Sequence, residues 1–167
     1  GTNFYPLLSY LAESRRANEG FSQLYDNSMA GITYLYNGDT ANAEILLEAI
    51  ADNSLYRSSS EKYIGTGEAL WAGIFALYCR HAGIENPAID TILTNVDNYL
   101  TTVRKDVGGT ISFYIDSGHT DVSTEHMLDA ALYYALRNDT SNLNKILGYI
   151  NNNLIFDNDT STTEDEI

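Results

Sequence analysis

The sequence predicts an all-α fold of antiparallel helical hairpins, and three observations carry that reading. Four segments place their apolar residues on one helical stripe, three others are apolar on most sides and rich in small residues, and the two kinds alternate along the chain. A one-sided stripe marks an outer helix with a wet back, and a segment apolar all round marks an inner helix covered by its neighbours. The first outer helix runs from Phe4 to Arg16, with Phe4, Leu7, Leu8 and Leu11 at i, i+3, i+4, i+7 spacing. An inner helix follows from Phe21 to Tyr36, then an outer one on Ala43, Leu46, Leu47 and Ile50. The second inner helix spans Gly67 to Ala82, and Ile89, Ile92, Leu93, Val96 and Leu100 mark its outer partner. The third pair is Thr124 to Leu136, inner, and the stripe Leu143, Ile146, Leu147, Ile150 and Leu154, outer.

The inner segments resemble one another. Ala30-Gly31-Ile32 with Leu35-Tyr36 parallels Ala72-Gly73-Ile74 with Leu77-Tyr78, and Ala130-Ala131-Leu132 is a looser third copy. The interval is 42 residues from Ala30 to Ala72 and 58 from Ala72 to Ala130, near the roughly 35 to 50 of helix-pair repeats. An ordinary helical bundle without a true repeat is the plainer alternative. The longer interval holds an insertion. Its run Gly109-Thr110-Ile111-Ser112-Phe113-Tyr114-Ile115 is β-prone, so a small hairpin or extended loop is expected near 106–122. Short turns at Asn37-Gly38-Asp39, Gly83 to Pro87 and Asn138-Asp139-Thr140 join each inner helix to its outer partner. The returns, Asn53 to Gly65 and Arg104 to Val122, are longer, so the long loops gather at the end where the inner helices begin.

With 167 residues, 44% of them hydrophobic, the chain is long enough for one domain with its own core, expected over residues 1–157. Residues 158–167 read either as a polar acidic tail or as the cut-off start of a further helix, because Thr160 to Ile167 imitates Ser123 to Leu128. A chain cut within a repeat at both ends is what a fragment of a longer protein looks like. The net charge of −14 disfavours nucleic acid and anionic membranes as partners, and no apolar run approaches the ~20 residues of a membrane span. Cys79 stands alone and reads as a small inert hydrophobe. No Walker loop, dinucleotide fingerprint or nucleophile elbow is present, and no cofactor is expected. His119, Asp121, Glu125 and His126 match no strong metal signature, so no metal is expected either.

The inner-helix starts are chemically distinctive. They carry Tyr25-Asp26, Thr66-Gly67-Glu68 and Ser123-Thr124-Glu125-His126, with Asp129 one turn on. Taken singly these are ordinary helix starts: Ser123 or Thr124 caps free amides and Glu125 suits the positive dipole end. Together they gather Asp26, Glu68, Glu125 and Asp129 beside Tyr25, Tyr63, Trp71, Phe113, Tyr114, His119 and His126. Aromatic platforms among carboxylates suit sugar rings, and glycoside hydrolysis needs one carboxyl group as acid and another as base or nucleophile.

The run of Tyr25-Asp26 before a small-residue helix, then Gly67-Glu68-Ala69-Leu70-Trp71-Ala72, then Asp121-Val122-Ser123-Thr124-Glu125-His126 before another, resembles the (α/α) toroids of the six-hairpin glycosidase type. The resemblance covers Gly20 to Asp157, about half of such a toroid. It implies an α/α-toroid or superhelical arrangement and an active site at the inner-helix starts. On that reading Glu125 is the catalytic acid and Asp26 the base or orienting carboxylate, with Tyr25, Glu68, Trp71, His126 and Asp129 binding substrate. Two functions follow as expectations: a carbohydrate-active domain, glycosidase-like or saccharide-binding, or a non-catalytic helical repeat that presents a surface to a protein partner, as in a secreted or virion structural protein.

Overall fold

The computed structural model describes residues 24–52 and 65–154. They form α1 (Leu24–Tyr36), α2 (Thr40–Asp52), α3 (Thr66–His81), α4 (Ala88–Val103), β1 (Arg104–Val107), β2 (Thr110–Phe113), α5 (Thr124–Leu136) and α6 (Thr140–Asn153). Helices account for 71% of the described residues and the sheet has two antiparallel strands, so the fold is mostly helical. The helix expected from Phe4 to Arg16 and the tail 158–167 lie outside the described residues.

Helix α3 is the centre. It packs against α1 on one side, α5 on another and α4 behind, while α2 lies on α1 and touches α4, and α6 lies on α5. Surrounded in this way, α3 buries Ala69, Leu70, Ala72, Ile74, Phe75, Ala76, Leu77 and Cys79, as its all-round apolar texture predicts. Burial and the nearby Glu44 push the Cys79 thiol up to about 12, which leaves it unreactive at neutral pH. The other two inner segments are not covered all round: Tyr36 is 92% exposed and Leu128 55%. The reason is neighbours, since among the described helices α1 and α5 each have one inner helix beside them where α3 has two.

One packing device is used twice. A Cβ on Gly31 would sit 2.2 Å from the Phe75 ring, and a Cβ on Gly73 would sit 2.6 Å from the Tyr133 ring. Both glycines occupy the same place in the repeated Ala-Gly-Ile motif, and both rings lie three residues after the repeated alanine. An aromatic ring of each later inner helix therefore fills the space that a glycine leaves on the earlier one. The 42-residue and 58-residue intervals thus mark equivalent packing positions.

The short turns repeat as well. Gly38, Gly83 and Asn138 take positive φ of +76°, +82° and +58° just past the ends of α1, α3 and α5, the left-handed stop that suits Gly and Asn. Asp39 then accepts the Asn42 backbone N–H at 3.2 Å, and Asp139 accepts that of Asn142 at 3.1 Å, so the same aspartate cap starts α2 and α6. The hairpin turns through Gly108 and Gly109, both at positive φ, and pairs Arg104 with Phe113 and Val107 with Thr110. Its first strand starts earlier than the sequence suggested. Arg104-Lys105-Asp106-Val107 is a charged, largely exposed edge held by an Arg104–Asp106 ion pair at 2.8 Å, and it lacks apolar alternation.

Candidate functional site

The loop after β2 is fastened to the start of α3. The Thr66 N–H donates to the Ile115 carbonyl at 2.7 Å, its hydroxyl donates to the Tyr114 carbonyl at 2.6 Å, and Gly65 bridges to Asp116. Glu68 accepts the Gly65 N–H at 3.0 Å, closing the first turn of α3. With that turn fixed, Gly67, Glu68 and Trp71 share a face of α3, because residues three and four apart on a helix are neighbours.

Across from that face stands the first turn and a half of α5. A cleft of about 330 Å³ opens between the starts of α1, α3 and α5, lined by Tyr25, Gly65, Gly67, Glu68, Trp71, Glu125, His126 and Asp129. Three inner helices contribute to one cleft through their N-terminal turns, so they run parallel with their starts together. The Tyr25 and Trp71 rings meet edge to face at 5.9 Å and 85°, forming an aromatic corner with Tyr25 half exposed.

Gly67 makes room for a ring. A Cβ there would lie 2.7 Å from the His126 ring, which therefore rests on the start of α3 where a side chain would stand, and 3.6 Å from Asp129 Oδ2, an ordinary contact distance. Asp129 is 9% exposed, and its Oδ2 has no hydrogen-bond partner in the protein. Burial, reinforced by repulsion from Glu125 one turn earlier, pushes its carboxyl up to about 6, with the Trp71 indole N–H pulling the other way. The His126 Nδ1 is also buried without a partner, and burial holds the imidazole below its ordinary range while Glu125 and Asp116 pull it back. Glu125 itself is exposed at the rim. The floor of the cleft therefore holds a carboxyl group that takes or releases a proton near pH 6.

Six of the seven expected site residues meet here, and Asp26 does not. It stands half-buried in the first turn of α1 outside the cleft lining, as expected of a residue ~100° round the helix from Tyr25. Of the wider set, Phe113 is fully buried and stacks on Tyr134 at 6.4 Å, and His119 is exposed and bonds Asp116 at 2.8 Å; neither lines the cleft. Tyr63 lies outside the described residues. Ser123 holds the N-cap position of α5, yet its side chain makes no capping bond. Sequence reasoning missed Gly67, whose signal was a helix-weakening glycine inside a first turn. Its candidate for the acid, Glu125, stands exposed at the rim, and the buried carboxyl group of the cleft is Asp129.

Among the described residues, no group of three or more His, Cys, Asp or Glu side chains is placed to hold a metal ion, and no helix is long and apolar enough to cross a membrane. Comparison with protein-family models, with curated proteins and with solved structures finds no match.

Proposed function

We propose that the cleft at the inner-helix starts is a carbohydrate site with Asp129 as its central group. The observation that carries this reading is Asp129 itself: a carboxyl group nine-tenths buried, with an unpartnered oxygen, at the floor of a cleft whose walls include Trp71 and Tyr25. A buried oxygen acceptor costs stability unless something donates to it, and sugar hydroxyls are donors that arrive with a ring face suited to stacking on an indole. We further propose that the hairpins form an arc of an α/α toroid. The support is the repeated packing of Phe75 on Gly31 and Tyr133 on Gly73, because one interhelix relation applied twice curves a row of helices in one sense.

Hydrolysis is the catalytic form of the same reading. Asp129, protonated in mildly acidic solution, would donate to a glycosidic oxygen, and Glu68, which lines the same cleft from the facing helix, would serve as the second carboxylate. The experiment is saccharide binding followed by release of reducing ends, for the parent and for Asp129→Asn, Glu68→Gln and Asp26→Asn. Loss of turnover with binding retained in the first two marks an enzyme, and loss of binding in Asp129→Asn alone marks a saccharide-binding domain. Binding and turnover both left unchanged by Asp129→Asn contradict the site. A second reading, the interaction module, is favoured by Leu128, Ala131, Leu132 and Ala135, a stripe at helical spacing on α5 in which Leu128 and Ala135 are exposed and Ala131 and Leu132 half-buried. It predicts no saccharide response and a protein partner seated on that stripe.

A further inference from the structure

We infer that the cleft selects a saccharide bearing a free amine over neutral and acidic saccharides. This rests on the carbohydrate reading above and narrows it by charge. Glu68, Glu125 and Asp129 are three carboxyl groups on one small cleft, and among the described residues no lysine or arginine lines it. An anionic sugar such as a uronic acid would meet repulsion with no cation to offset it.

An ammonium group meets the opposite situation. Asp129 Oδ2 is buried and receives no hydrogen bond from the protein, and a charge-assisted bond from an ammonium is stronger than one from a neutral hydroxyl. The Tyr25 and Trp71 rings meet edge to face at 85° and line the same cleft, so its walls are aromatic as well as carboxylate. The His126 imidazole does not compete as a cation, because its surroundings keep it neutral at neutral pH. Amine recognition thus follows from the floor and the walls of the cleft together.

Trp71 is the only tryptophan of the chain, so its emission reports on this cleft alone. The test titrates the whole protein with three oligosaccharides of equal length, built from glucosamine, N-acetylglucosamine and glucuronic acid, at low and high salt. The glucosamine oligomer is expected to bind about tenfold tighter than its N-acetylated counterpart, the uronic acid not to bind, and the preference to shrink in high salt. Glu125→Gln, an exposed change that the fold tolerates, is expected to reduce the preference, and Asp129→Asn to abolish it. Equal affinity for the amine and its N-acetylated form overturns the charge selection and leaves the carbohydrate reading standing. No response to any of the three overturns both.

Discussion

Helix α5 carries two polar clusters, and they are finished in opposite ways. Near its C-terminus Tyr133 donates to Asp97 at 2.9 Å, and Arg137 bonds both Asp97 and the Tyr133 hydroxyl, so the buried tyrosine is partnered by two charged groups that reach the surface. Near its N-terminus, one to two turns away, Asp129 Oδ2 and His126 Nδ1 are buried with none. The first cluster ties α5 to α4 and is explained by structure alone. The second costs stability where it stands, and groups left in that condition cluster where a protein binds or reacts. The contrast is the main physical ground for placing function at the inner-helix starts.

The comparison breaks most visibly at the packing beneath the paired cluster. Gly73→Leu drives a side chain into the Tyr133 ring, and we predict a loss of about 1 to 3 kcal/mol or more, read from urea unfolding. An unchanged midpoint would mean that the ring has another place to go.

The next largest effect has the opposite sign. The folded protein holds the Asp129 proton more tightly than the unfolded chain does, so ionising this group costs stability as pH rises from about 4 to about 6. Asp129→Asn removes that cost, and at neutral pH it should raise stability by up to about 3 kcal/mol while doing nothing below about pH 4. His126 works the other way, since its depressed proton affinity costs stability as pH falls through the ordinary imidazole range. The quantity to measure is therefore the difference between parent and variant across pH, in which the His126 contribution largely cancels.

Sequence and structure agree best where periodicity is strong. The stripes of α2 and α4, the all-round burial of α3 and the three short turns were all legible, because each depends on side-chain pattern or on Gly, Asn and Asp in a turn; the α6 stripe holds only in part, with Ile146 and Ile150 buried and Leu147 40% exposed. Strand β1 was not legible. Arg104-Lys105-Asp106-Val107 has no apolar face, and its pairing is imposed by Thr110 to Phe113 opposite. At the site, composition brought the carboxylates and aromatics to one end, but rotation about each helix axis decided which of them face the cleft. Tyr25 faces it and Asp26 does not; Asp129 turns inward from within an apolar run while Glu125, one turn earlier, stays at the rim. That choice depends on how α3 and α5 pack, with the His126 ring against Gly67 and the Tyr133 ring against Gly73.

Smaller effects sharpen the contrast. Tyr133→Phe deletes one hydroxyl from the paired network while Arg137 and Asp97 keep each other, and should cost about 1 kcal/mol in thermal or chemical unfolding. Glu125→Gln should leave stability within about 0.5 kcal/mol, as exposed substitutions do. It removes the repulsion on Asp129, however, so the Asp129 carboxyl followed by NMR should titrate at lower pH than in the parent.

The most direct test of the carbohydrate reading is the emission of Trp71 during titration with oligosaccharides, since this single indole stands in the cleft beside Asp129. The account predicts a saturable change in the parent and a weaker or absent one in Asp129→Asn that has kept its fold. A parent emission indifferent to every saccharide, in acidic and in neutral solution, would contradict it.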